Sequence, residues 1–228
     1  MAAILAQSVT VTSGEVHLEG EMNLPAGASG IVLFAHGSGS SRHSPRNKYV
    51  AQIIQQAGLG TLLFDLLTRQ EEAIDLRTAH LRFNIDLLAN RLVDATRWFR
   101  ANEEIGHLNV GYFGSSTGGG AALVAAAALQ NEIRAVVSRG GRPDLAGQAL
   151  PQVKCPTLLI VGGHDEPVIR LNREAYARLE CKKELKIVPG ATHLFEEPGK
   201  LQQVAELAAG WFKKYLAPAE PHDERNYV

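Results

Sequence analysis

The chain has 228 residues, 45% of them hydrophobic and 21% charged, with a formal net charge of −1 at pH 7. This balance excludes a disordered polyelectrolyte and gives no electrostatic reason to expect nucleic acid or an anionic membrane as partner. No apolar run approaches the roughly 20 residues that span a bilayer, and Met1 to Gln7 lacks the basic start and apolar length of a secretory signal. A cytoplasmic protein is therefore expected. Its two cysteines, Cys155 and Cys181, read as reduced packing or surface thiols.

Val9 to Leu24 alternates loosely around Ser13-Gly14 and predicts an antiparallel hairpin. Ile31 to Ala35 is wholly apolar, as in a strand buried on both faces. Helical spacing runs from Tyr49 to Ala57 and stops at Gly58. Thr61 to Phe64 is the next buried strand. Leu81 to Arg100 predicts one long amphipathic helix, with Ile85, Leu88, Leu92 and Phe99 largely on one face. Val110 to Phe113 reads as a strand and Gly119 to Leu129 as a small-residue helix. Arg134 to Ser138 and Thr157 to Val161 are strands, Leu171 to Leu179 a helix, Leu185 to Val188 a strand and Leu201 to Tyr215 the last helix. Residues 1–217 read as one domain, and residues 218–228, without apolar period, as a disordered tail.

Alternating strands and helices after an antiparallel start predict an α/β fold: a mostly parallel sheet with helices on both faces. Ligands in such sheets bind beyond the carboxyl ends of the strands, so the residues following each strand carry the functional reading. One strand leads into His36-Gly37-Ser38-Gly39. Another leads into Gly114-Ser115-Ser116-Thr117-Gly118, a G-x-S-x-G pattern between a strand and a helix, which lifts a serine out of the backbone on a tight turn. The strand at 157–161 leads into Gly163-His164-Asp165, with Pro167 beyond. The strand at 185–188 leads into Gly190-Ala191-Thr192-His193. The chain order Ser, Asp, His is that of α/β-hydrolases.

These four segments, each at a strand end, resemble the dienelactone-hydrolase-like branch of the α/β-hydrolases over about residues 8 to 217. The resemblance implies an α/β-hydrolase fold without a large lid domain and acyl transfer through a triad of Ser116, His193 and Asp165. His193 would take the serine proton and return it to the leaving group, while Asp165 would fix the imidazole tautomer. Backbone N–H groups of Thr117 and Ser38 would meet the oxyanion. Dienelactone hydrolases proper carry cysteine at the elbow; serine here points to esters, lactones or thioesters as substrates. No cofactor and no metal are implied, and the partner is a small ester-type molecule.

Blander readings exist for each residue. Ser116 and Asp165 could simply cap the helices that follow, and Glu166 is a rival acid. His36 is expected to support the oxyanion loop, and His43 looks ordinary. Ser115 is a second hydroxyl without a stated role. Gly119 and Gly120 each cost a helix roughly 1 kcal/mol relative to alanine, and only close packing or room beside Ser116 would explain them. Arg42, Arg46, Arg139 and Arg142 gather near the proposed mouth; surface solvation is the plain reading, and an acidic substrate on Arg42 or Arg139 the sharper one. Three rival functions remain: an acyltransferase on the same triad, a silent interaction domain on a hydrolase fold, and a nucleotide-binding protein. The last is disfavoured because Arg42 stands where the third glycine of a dinucleotide fingerprint belongs.

Overall fold

The computed structural model describes residues 4–218; the expected disordered tail lies almost entirely outside them. Eight strands form one sheet: β1 (Ile4–Ser13), β2 (Val16–Pro25), β3 (Gly30–Ala35), β4 (Gly60–Phe64), β5 (Asn109–Ser115), β6 (Ile133–Arg139), β7 (Thr157–Gly162) and β8 (Lys183–Val188). Their spatial order is β1-β2-β4-β3-β5-β6-β7-β8. β1 and β2 form the expected hairpin, and β2 also runs antiparallel to β4; every other pairing is parallel. This is the α/β-hydrolase fold the sequence resemblance implied.

Six helices cover the sheet: α1 (Pro45–Gln56), α2 (Arg69–Thr78), α3 (Ile85–Arg100), α4 (Thr117–Leu129), α5 (Glu166–Arg178) and α6 (Lys200–Leu216). On one face, Val50 and Ile54 of α1 and Val204, Ala208 and Phe212 of α6 pack against Val32, Phe34, Phe113 and Val137. On the other, Leu88, Leu92 and Phe99 of α3 and the alanines of α4 pack against Leu33, Tyr112 and Val136. Every residue of β3, β4 and β7 is buried, which explains why these strands are apolar throughout rather than alternating. The edge strand β8 carries Lys183, Glu184 and Lys186, charges that blunt an open edge against further pairing.

Three element expectations need correction. The helix expected over Leu81 to Arg100 begins only at Ile85, because the Asn84 side chain caps it by accepting from the Leu87 N–H. A separate helix, α2, precedes it. It buries only Asp75, so it has almost no hydrophobic period to detect. Its sequence signal is the capping box of Thr68 and Glu71. Helix α1 starts four residues before Tyr49, with Ser44 as cap and Pro45 in the first turn.

Candidate active site

β5 ends at Ser115 and α4 begins at Thr117, which leaves Ser116 alone at the junction. Its backbone stands at φ 51°, ψ −124°, a region sparsely populated by residues other than glycine and worth about 1–3 kcal/mol of strain. The surrounding backbone holds it there. The Ser116 N–H donates to Arg139 O, while Ser116 O accepts from Gly119 N–H and Arg142 N–H. The flanking glycines are required by space: a Cβ on Gly118 would lie 2.1 Å from Ala35 O, and one on Gly114 2.4 Å from Gly118 O.

The same test explains Gly119 and Gly120. A Cβ on Gly119 would meet Ser138 Oγ at 2.5 Å, and one on Gly120 would meet Arg142 O at 2.8 Å. The start of α4 is thus pressed against the end of β6 and the loop that follows. The helical cost of these glycines is the condition for that approach.

Helix capping explains neither Ser116 nor Asp165. Each occupies the cap position of the next helix, yet neither side chain makes a cap hydrogen bond. Instead Asp165 Oδ2 stands 2.6 Å from His193 Nδ1. The carboxylate is largely enclosed, with 13% side-chain exposure, whereas the imidazole is 39% exposed. Their loops are laced together by backbone: Gly163 N–H donates to Val188 O and His164 N–H to Ala191 O. The rival acid, Glu166, is exposed on the first turn of α5.

Ser116 and His193 line one open cavity of about 550 Å³ together with the 37–46 loop, Ser115, Arg139 and Leu194. His43 also lines it, contrary to the expectation that it is ordinary. Of the two expected oxyanion donors, the Thr117 N–H has no backbone acceptor among the described residues. The Ser38 N–H is already engaged, donating to Thr117 Oγ1 at 3.0 Å.

His36 is fully enclosed beneath this loop. The Leu66 N–H donates to its Nε2 at 3.0 Å, so the ring proton sits on Nδ1, which in turn donates to Gly37 O at 3.0 Å. The ring therefore ties the glycine-rich loop to the end of β4. Burial pulls its pKa below the ordinary histidine value of 6.5, partly opposed by the Gly37 hydrogen bond and by Asp65. The unfolded chain takes up this proton below about 6.5 and the folded chain resists it. His36 therefore contributes stability that is present above that pH and lost as pH falls through the interval below it. The melting temperature of the wild type should drop over this range, and His36→Gln, which cannot titrate, should show a shallower drop in thermal melts across pH.

The arginines divide. Arg42 does not line the cavity: its guanidinium bonds both Asp65 and Glu19, and its N–H donates to Asp65 Oδ1. The expectation that it faces substrate is corrected accordingly. Arg142 forms a two-pronged pair with Asp144 at 2.8 and 2.7 Å. Arg46 lines the cavity and pairs with the exposed Glu196 at 2.9 Å. Arg139 also lines it, is only 6% exposed, and has no hydrogen-bond partner at Nε or Nη1 among the described residues. Among those residues, no group of three or more His, Cys, Asp and Glu side chains is arranged to hold a metal ion, and no helix is long and apolar enough to cross a membrane.

A strained serine between strand and helix, on the mostly parallel sheet described above, defines an α/β-hydrolase. The family model of the dienelactone hydrolase family matches residues 18–216. The chain belongs to the dienelactone hydrolase family and is a hydrolase-type enzyme. A crystal structure of dienelactone hydrolase from Anabaena variabilis is 64% identical, with a TM-score of 0.92 over 93% of this chain and 99% of that one. Est1E from Butyrivibrio proteoclasticus shares the fold at 14% identity, with a TM-score of 0.77 over 92% of this chain and 99% of its own. A Mycobacterium tuberculosis protein provisionally named phosphoribosyl transferase is 55% identical over 215 residues, covering 94% of this chain. The chain spans about half of that relative's length, 48%.

Proposed function

We propose that this enzyme is a serine hydrolase that cleaves small esters, lactones or thioesters through an acyl-enzyme on Ser116. The observation that carries the reading is the 2.6 Å contact of Asp165 Oδ2 with His193 Nδ1, at the rim of a cavity shared with Ser116. The carboxylate holds the Nδ1 proton and leaves Nε2 as the base. Nε2 takes the hydroxyl proton as Ser116 Oγ attacks the carbonyl carbon, and the carbonyl oxygen becomes an oxyanion. Thr117 N–H is free to meet it, at the positive end of α4. Ser38 N–H joins it by sharing or releasing Thr117 Oγ1. His193 then protonates the departing alcohol or thiol, and water repeats the sequence on the acyl-enzyme.

The name of the mycobacterial relative describes a protein about twice as long. We assign the named transferase activity to the part of that protein outside the region similar to this chain. A series of p-nitrophenyl esters of increasing acyl length, with simple lactones beside them, tests the reading. Short acyl groups should turn over fastest, and rates should fall as the chain outgrows the cavity. Absence of turnover across the whole series would contradict the proposal.

A further inference from the structure

Arg139 is a buried cation with nothing to hold. It is the last residue of β6, it pairs in register with Ser115, and its carbonyl anchors the Ser116 N–H. Its guanidinium therefore belongs to the immediate surroundings of the elbow. Neither Nε nor Nη1 finds an acceptor, and no acidic side chain forms an ion pair with Arg139 among the described residues. Removing one partner from a buried charge is ordinarily strongly destabilising, so an unpaired one is retained where a ligand completes it. Burial, followed by the repulsion of Arg46, lowers its pKa to about 10. The side chain remains a cation at neutral pH.

The rest of the cavity agrees in sign. Arg46 is a second guanidinium on the wall, and Ser44 and Pro45 bring the N-terminal end of α1 to it. No aspartate or glutamate lines the cavity, although Glu196 pairs with Arg46 from outside. A single carboxylate would balance Arg139 alone. A phosphate monoester, with a charge of about −1.5 to −2 at neutral pH, balances both guanidiniums and offers each of them an acceptor.

We infer that the substrate carries a phosphate group, seated on Arg139 and Arg46, while its acyl carbon faces Ser116. This deepens the hydrolase reading and rests on it. No covalent step involves the phosphate; it is a handle that orients the ester. Arg139 is the specificity-determining residue of the site, and Arg46 assists it.

Inorganic phosphate is the probe. It should bind Ser116→Ala protein by calorimetry and should inhibit wild-type hydrolysis of p-nitrophenyl acetate competitively, raising KM and leaving kcat unchanged. Acetate at equal concentration should inhibit much less. Arg139→Gln should weaken phosphate by about tenfold or more, in line with the loss of a charge-assisted bidentate contact, and Arg46→Gln by a smaller factor. Unchanged phosphate affinity in folded Arg139→Gln would overturn the assignment, and so would acetate competing better than phosphate. Should Arg139→Gln fail to fold, the wild-type comparison of phosphate with acetate and the Arg46→Gln titration still decide it. Ester turnover without phosphate binding would overturn the anion site alone. Phosphate binding without turnover would support the anion site and count against the hydrolase reading.

Discussion

Ser116→Ala is expected to lower kcat for p-nitrophenyl acetate by about 10⁴-fold or more, because the nucleophile and the base act as one unit and neither works alone. The fold should survive. The Ser116 side chain makes no cap bond to α4, so its removal leaves no buried partner unsatisfied. Ser116→Gly sharpens the point. It should be equally inactive, yet more stable by about 1 kcal/mol, since glycine accepts φ 51° without the penalty a side chain carries there. Activity and stability would then move in opposite directions at one residue, which is what strain held for function requires. Steady-state kinetics with thermal melts on the three proteins checks both parts. A Ser116→Ala protein of near-wild-type activity would remove the residue from the mechanism.

Asp165→Asn has the second largest expected effect, a loss in kcat of about 10³–10⁴-fold. The substitution conserves shape, and the neighbouring backbone bonds of the 162–165 loop do not involve the side chain. What changes is the proton. The carboxylate accepts from His193 Nδ1 at 2.6 Å. An asparagine can instead donate its amide N–H to Nδ1, and that tautomer places the ring proton on Nε2. The base then has no lone pair for the Ser116 hydroxyl. Because the substrate cavity is untouched, KM should change far less than kcat. A parallel substitution, Glu166→Gln, should have little effect, since that carboxylate is exposed on the outside of α5. Equal losses from the two variants would mean that the acid has been misassigned.

Much of this site was legible in the chain because its chemistry is local. The elbow is five consecutive residues, and its glycines are needed by contacts within one turn of the serine. The order of Ser116, Asp165 and His193 at three strand ends follows from parallel topology, which the alternation of apolar strands and helices already implies. Side-chain pairing across the sheet was not legible. Arg42 and Arg139 look alike as arginines that follow strands. Arg42 is neutralised by Glu19, a residue of β2 brought beside it when β2 pairs with β4, with Gly20 opposite Phe64. Arg139 has no such neighbour. The glycines at 119 and 120 pose the same problem, since their reason lies at Ser138 and Arg142 on a different element. Helix α2 was missed for another cause: it buries a single charged residue, so its only marks are its caps.

The central claim is that Ser116 is a nucleophile activated by His193. Labelling with a fluorophosphonate, followed by mass-spectrometric mapping of the adduct, tests it most directly. The account predicts one adduct, on Ser116, formed by the native wild type and lost in His193→Ala, with Ser115 unmodified. An unlabelled Ser116 in folded, native protein, or an adduct on Ser115 instead, would contradict it.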